Sequence, residues 1–206
     1  MRTDILNQGQ TSALALLREC PEIDKFYLAG GTALALHLGH RYSRDFDFFT
    51  GEQFDEGMLL QNLQNLGQCQ DIRKTRQTLF LKFEAILCSF ILYKYPLIDF
   101  PAVTPWGFSI VSMREIGAMK IMAIGDRGRR RDFVDLYFIM RDLGIEKIWQ
   151  DFETKYAGTG YDSYHFLRAL TYFDDAEGDP MLEMIDEIEW MEVKKHLENE
   201  VRKIIL

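Results

Sequence analysis

Asp45 and Asp47 stand two positions apart in the run Asp45-Phe46-Asp47-Phe48-Phe49. In an extended chain residues i and i+2 point to one side, so this spacing sets two carboxylates next to each other. Adjacent anions repel unless a cation lies between them. A divalent ion such as Mg²⁺ takes carboxylate oxygens together with substrate phosphates. Phe46, Phe48 and Phe49 are then expected on the opposite face and in the core. Upstream, Gly30-Gly31-Thr32 opens an apolar stretch that runs to Gly39. A glycine turn at a helix N-terminus offers free backbone N–H groups and a partial positive charge, which suits a phosphate. Together the two features lay out a phosphoryl- or nucleotidyl-transfer site. Taken singly, a D-x-D is more often a solvated strand edge and a glycine pair more often a simple turn. Their pairing and order carry the reading.

A second constellation lies downstream. Lys120 falls on one expected helix, and Asp132 and Asp135 fall on the next with the i, i+3 spacing that shares a face. Between them runs "DRGRRRD", with Arg127, Arg129, Arg130 and Arg131. A lysine near an NTP balances phosphate charge or steadies the leaving pyrophosphate. Asp135 would hold that lysine or serve as general base toward an acceptor hydroxyl. The competing reading is an ion-pair network that only joins two helices. The arginines are likewise a solvated loop, unless they lie beside a triphosphate and meet NTP or RNA phosphates.

The elements that must position these residues are legible from periodicity. Residues 3–19 read as a helix, 24–28 as a short strand, 31–39 as a helix, 45–49 as a strand and 55–66 as a helix. "TLFLKF" (78–83) and "ILCSFILY" (86–93) read as a hairpin joined at Glu84-Ala85. "YPLIDFPAVTPWG" holds three of the five prolines and reads as a connector. Ser112 and Glu115 have capping-box spacing at the head of the next helix, which Gly125 and Gly128 should break. Residues 131–144 form another helix with Phe133, Leu136, Tyr137 and Met140 on one face, and 145–206 are mostly helical, interrupted at "AGTGYD" and "DDAEGDP". The expected organisation is an α/β core over 1–105 and a helical region over 106–206 that completes the site.

Composition narrows the class. The 206 residues are 47% apolar and 27% charged, as in an ordinary globular protein. A net charge of −8 argues against non-specific coating of nucleic acid but leaves room for local basic patches, one of them Arg73-Lys74-x-Arg76. No run approaches the about 18 apolar residues of a membrane span, and the N-terminal stretch lacks a secretory apolar core. Cys20, Cys69 and Cys88 are odd in number and lack metal-site spacing, so a reducing cytoplasm is expected.

The run "GGTALALHLGHRYSRDFDFF" resembles the first motif of DNA-polymerase-β-like nucleotidyltransferases, and within them is most similar to the AbiEii/AbiGii toxin family. "YKYPLIDFP", "SMREIGAMKIMAIGDRGRRRDFVDLYFIM" and "LTYFDDAEGDPM" follow in that family's order, so the resemblance spans residues 25–190 or so. It implies an α+β nucleotidyltransferase fold: a small mixed sheet flanked by helices, with a helical C-terminal region. It also implies an Mg²⁺- (or Mn²⁺-) dependent toxin, paired with a separate antitoxin, that transfers NMP from an NTP to an acceptor hydroxyl, RNA such as tRNA foremost. Asp45 and Asp47 become metal ligands and Gly30, Gly31, Thr32, Arg44, Arg127 and Arg131 NTP contacts, while Lys120 and Asp135 take the family's functional lysine and acid.

One departure stands out. Many relatives in the wider superfamily carry a third acid on the strand after the D-x-D, and here that strand, 86–93, offers only Ser89 near the expected place. Two rivals follow: an NTP-binding module that acts through a protein partner, and an NMP transferase that modifies protein. The acidic turn "DDAEGD" reads as solvated rather than as a cation loop. The four histidines are scattered, although His40 precedes the D-x-D and would be able to meet substrate. Cys88, Trp149 and Trp190 read as packing residues, and Ser43 has no histidine base.

Overall fold

The computed structural model describes residues 1–205, and the chain divides into two compact units. The first comprises Met1–Pro96 and Phe100–Ser112. The second comprises Leu97–Asp99 and the chain from Met113 onward.

In the first unit, a single 3₁₀ turn, Thr3–Ile5, precedes helix α1, Gln8–Arg18. The sequence predicts one helix there. Asn7 divides it, because its extended backbone caps α1 in a reciprocal capping box with Gln10. Then come β1 (Tyr27–Ala29), α2 (Gly30–Leu38), β2 (Phe46–Thr50), α3 (Glu56–Leu66), β3 (Cys69–Thr75), β4 (Thr78–Phe83), β5 (Ile86–Leu92), β6 (Ala102–Val103) and β7 (Ser109–Ile110). The strands form one mixed sheet in the order β3-β4-β5-β2-β1-β7-β6. The β2–β5 and β1–β7 pairs are parallel and the others antiparallel. The β4–β5 turn is the expected Glu84-Ala85, both at positive φ (49° and 66°), the backbone of a tight two-residue hairpin. Phe46, Phe48, Phe83, Phe90 and Leu28 bury one face of the sheet, with Phe48 stacked on Phe90 at 5.2 Å.

Three strands escape the sequence reading. β3 is a polar edge strand that is almost wholly exposed, so it has no apolar alternation to betray it. β6 and β7 are two-residue strands inside the proline-rich connector. The expected strand at 24–28 begins only at Tyr27, because Pro21 starts a 3₁₀ turn through Lys25.

The second unit is helical: α4 (Met113–Arg127), α5 (Arg130–Leu143), α6 (Ile145–Lys155), α7 (Ser163–Ala169), α8 (Asp174–Glu177) and α9 (Trp190–Ile205). Gly125 does not break α4. It lies within the helix because the Phe166 ring occupies the space of its missing side chain, where a Cβ would fall 2.2 Å from the ring. Gly128, at φ +51°, lies past the end of the helix. Glu115 and Lys155, both fully buried, pair with each other, and Glu115 also accepts the N–H of Ile98 at 2.9 Å. Burial pushes the Lys155 ammonium pKa down against the pull of Glu115. Arg114 bridges Asp99 and Asp151, which further ties Leu97–Asp99 to this unit. The "DDAEGD" turn is partly helical (α8), and two of its acids are occupied. Glu177 pairs with Lys194 at 2.7 Å, and Asp179 with Arg129 at 3.0 Å.

Candidate functional site

The D-x-D motif is fixed from three directions. In register, Asp47 faces Ala29 of β1 on one side and Ser89 of β5 on the other. The Ser89 hydroxyl donates to Asp47 Oδ1 at 2.6 Å. The strand expected to carry a third acid therefore does lie beside Asp47, and the residue there is the serine. Asp45 sits just before β2, and its carbonyl accepts the hydroxyl of Thr32. Ser43 lies 2.9 Å from the same hydroxyl, and the Ser43 carbonyl accepts the buried Gln10 amide at 2.7 Å. A residue of α1 and one of α2 thus clamp the loop that delivers the carboxylates. Phe46 and Phe48 enter the core as expected. Phe49 does not: alternation puts it on the Asp47 side, half-buried and stacked on Tyr27 at 6.3 Å.

The glycine pair has a role beyond its N–H groups. Gly30 has φ +67°, and a Cβ there would fall 2.5 Å from Asp47 Oδ2. At Gly31 a Cβ would fall 2.3 Å from Nη2 of the buried Arg41. Both glycines are spaces into which the carboxylate and the guanidinium fit. The N-cap of α2 is Ala29, whose side chain makes no capping bond, so the first N–H groups of the helix lack a side-chain acceptor from that residue. Thr32 is buried and spends its hydroxyl on the loop, which leaves its N–H as its means of meeting a phosphate. Arg44 is exposed in this loop. His40 is buried, which removes it from the residues that meet substrate directly.

In the second unit the structure brings Lys120, Asp132, Asp135 and Arg127 together. The Lys120 ammonium lies 3.0 Å from Asp132 and 2.6 Å from Asp135, both carboxylates being fully buried. Arg127 closes on Asp132 with two hydrogen bonds of 3.0 and 3.1 Å. Burial opposes ionisation of Asp132, but the Lys120 ammonium and the Arg127 guanidinium outweigh it and hold the carboxyl below the usual range. The remaining loop arginines diverge. Arg131 is exposed, Arg129 pairs with Asp179, and Arg130 lies over the Trp190 ring at 5.0 Å. Gln10, Arg41 and Ser43 contact the loop and the glycine turn around the D-x-D, and the sequence did not reveal them, since no spacing rule links them to that motif.

The model of the family described as "Nucleotidyl transferase AbiEii toxin, Type IV TA system" matches residues 13–88 and 77–204. The chain belongs to the AbiEii family. As an AbiEii protein it is a nucleotidyltransferase toxin of a type IV toxin–antitoxin system. An uncharacterized protein of Aquifex aeolicus (strain VF5), aq_aa25, is 33% identical over 205 residues, covering 94% of this chain and 98% of its own. The fold recurs in a crystal structure from H. pylori assigned as a nucleotidyltransferase, with TM-score 0.59, 18% identity and coverage of 96% and 92% of the two chains. It recurs also in MenT4, a nucleotidyltransferase toxin of Mycobacterium tuberculosis, with TM-score 0.56, 19% identity and coverage of 93% and 80%. The α+β architecture expected from the sequence is therefore the observed one. No described helix is long and apolar enough to cross a membrane.

The glycine geometry yields a test in this AbiEii protein. Gly30→Ala forces a methyl into Asp47 and a left-handed backbone onto alanine. Nucleotidyl transfer is expected to fall about 10- to 100-fold, because a displacement of about 1 Å at a reacting centre has that effect. The strain of about 1–2 kcal/mol should lower Tm by only a few degrees. Initial rates and a thermal melt of the variant measure the two effects separately.

Proposed function

We propose that this AbiEii protein transfers a nucleoside monophosphate from an NTP to a hydroxyl of an RNA acceptor such as a tRNA end, with Asp45 and Asp47 holding Mg²⁺ or Mn²⁺. The observation that carries the reading is the placement of the Asp47 carboxylate. It lies against Gly30 at the N-terminus of α2 and is oriented by Ser89. The donor set fits the ion: two all-oxygen ligands suit a hard cation that keeps water and substrate phosphates as its other ligands. Among the described residues no group of three or more metal-ligating side chains occurs. When bound, the ion would neutralise charge on the transferring phosphate.

The chain's own groups supply the rest. The N–H groups of Gly30, Gly31 and Thr32 would bind phosphate oxygens, aided by the helix dipole. Arg44 and Arg131 both reach the surface and are the arginines we assign to an NTP, whereas Arg127 is committed to Asp132. Ser89 holds Asp47 in its rotamer, and Thr32 holds the Asp45 backbone. Lys120 keeps the part the family resemblance gives it, countering phosphate charge, with Asp135 and Asp132 gripping its ammonium. The antitoxin is a separate protein. The free thiols of Cys20, Cys69 and Cys88 fit a reducing cytoplasm.

The serine at position 89 favours one second reading, an NTP-binding module with weak chemistry. A single assay separates the readings: α-³²P-labelled NTPs with the protein, Mg²⁺, total cellular RNA and total cellular protein, beside calorimetric titration with NTP-Mg²⁺. Label in RNA is the expected result. Label in protein would move the acceptor, and binding without any label would establish the module.

A further inference from the structure

Residues opposite each other on neighbouring strands point to the same side of the sheet. Asp47 faces Ser89, Ser89 faces Phe80, and Phe80 faces Arg73. These four side chains therefore form one row across β2, β5, β4 and β3, starting at the candidate metal clamp and ending at the sheet's edge. With strands about 4.8 Å apart, Arg73 is rooted about 14 Å from Asp47. Leu87, opposite Lys82, lies in the next row on the same face.

This face is open where the other is closed. Leu79, Leu81 and Phe83 of β4 are buried, whereas Phe80 is 39% exposed and Leu87 49%. Arg73 and Arg76 are exposed at and beyond the end of the row, whereas Lys74, opposite the buried Leu79, alternates to the other face. Asp71, in a β3 bulge at φ 50°, pairs with Lys82 at 2.5 Å. That pair cancels, which leaves Arg73 and Arg76 as the cations at this end of the row. An aromatic platform flanked by cations, in a protein of net charge −8, is the composition of a single-stranded nucleic-acid track.

The direction of approach agrees. The N-terminus of α2 follows directly from β1, and β1 pairs with β2 on the side of Asp47 away from Ser89. A triphosphate held by those N–H groups, as proposed above, would have its leaving pyrophosphate on the β1 side. In-line displacement then brings the acceptor hydroxyl from the β5 side. We propose that the face running from Ser89 over Phe80 to Arg73 is the acceptor track. The single-stranded 3′ end of an RNA lies on it, one base stacks on Phe80, and its phosphates pass Arg73 and Arg76. This rests on the nucleotidyl-transfer reading above.

The test uses the full chain and a fluorescein-labelled single-stranded RNA of about 12 nucleotides with a free 3′ hydroxyl. Anisotropy gives binding, and steady-state transfer gives separate KM values for RNA and NTP. Phe80→Ala is expected to weaken RNA binding about tenfold or more and to raise KM for RNA but not for NTP, while Phe80→Trp restores both. Arg73→Glu should weaken binding and lower the slope of log affinity against log salt by about one. Both positions are exposed, so thermal melts should match the wild type. The track is overturned if the wild type does not bind the RNA, if the variants bind it unchanged, or if the variants alter KM only for a protein acceptor. Transfer that needs Asp47 but ignores Phe80 and Arg73 would sink the track and spare the activity. RNA binding that needs Phe80 and Arg73, without any transfer, would do the reverse.

Discussion

Asp47→Asn is expected to lower nucleotidyl transfer at least about 100- to 1,000-fold, the loss typical of removing one preorganised electrostatic contact from a transition state. The substitution keeps shape and removes charge. An amide oxygen still accepts the Ser89 hydroxyl, and the amide fits the space against Gly30 that the carboxylate fills. Folding should therefore be preserved. Without divalent ions the variant should melt no lower than the wild type, because neutralising Asp47 relieves its repulsion from Asp45, two residues away. Adding Mg²⁺ should raise the wild-type Tm through binding linkage and leave the variant's almost unmoved. Labelled transfer assays and melts with and without Mg²⁺ measure these outcomes. A variant that keeps more than about a tenth of wild-type transfer would remove Asp47 from the clamp.

The D-x-D and its neighbours were readable because their physics is local. Strand alternation places Asp47 and the buried Phe46 and Phe48 from two-residue periodicity alone. The same rule assigns Phe49 to the Asp47 side rather than to the core, and there it is half-buried. Ser89 could be located because a hydrophobic strand is bounded by its own residues. What sequence does not hold is which surfaces meet. Gly30 and Gly31 looked like an opening for phosphate, and they also exclude side chains so that Asp47 and Arg41 can close in. That contact joins residues distant in the chain. Gly125 looked like a helix breaker until Phe166, also remote in sequence, was found to pack on it. The edge strand β3 stayed hidden because strand signals arise from a buried face, and it has almost none. The family resemblance reached the fold and the chemistry, but not the row from Asp47 to Arg73, which exists only once registers are known.

Lys120→Met should produce the largest loss of stability, about 3–5 kcal/mol near neutral pH, as is usual when one partner leaves a buried ion pair. Lys120 and Arg127 balance the buried carboxylates of Asp132 and Asp135. Removing the lysine leaves Arg127 on Asp132 and takes the ammonium away from the buried Asp135 carboxylate. The pH dependence gives the signature. In the wild type, the Asp132 carboxyl is held below its usual range despite burial. Its contribution is present above the unfolded carboxylate pKa of about 3.9 and disappears as pH falls through the lower folded value. In the variant, the buried Asp135 carboxylate loses the ammonium that offsets its burial. The deficit should therefore be greatest at neutral pH and shrink as pH falls toward about 4, where protonation removes the excess buried charge. Urea unfolding at the two pH values measures it. The double variant Lys120→Met with Asp135→Asn restores neutrality, with Asp132 still paired to Arg127, and should recover most of the stability. Its transfer activity then decides the role of Lys120. Recovery of transfer together with stability would make the cluster a brace between α4 and α5. Recovered stability with transfer still lost is the expected result, because the neutral methionine side chain has no charge to set against phosphate.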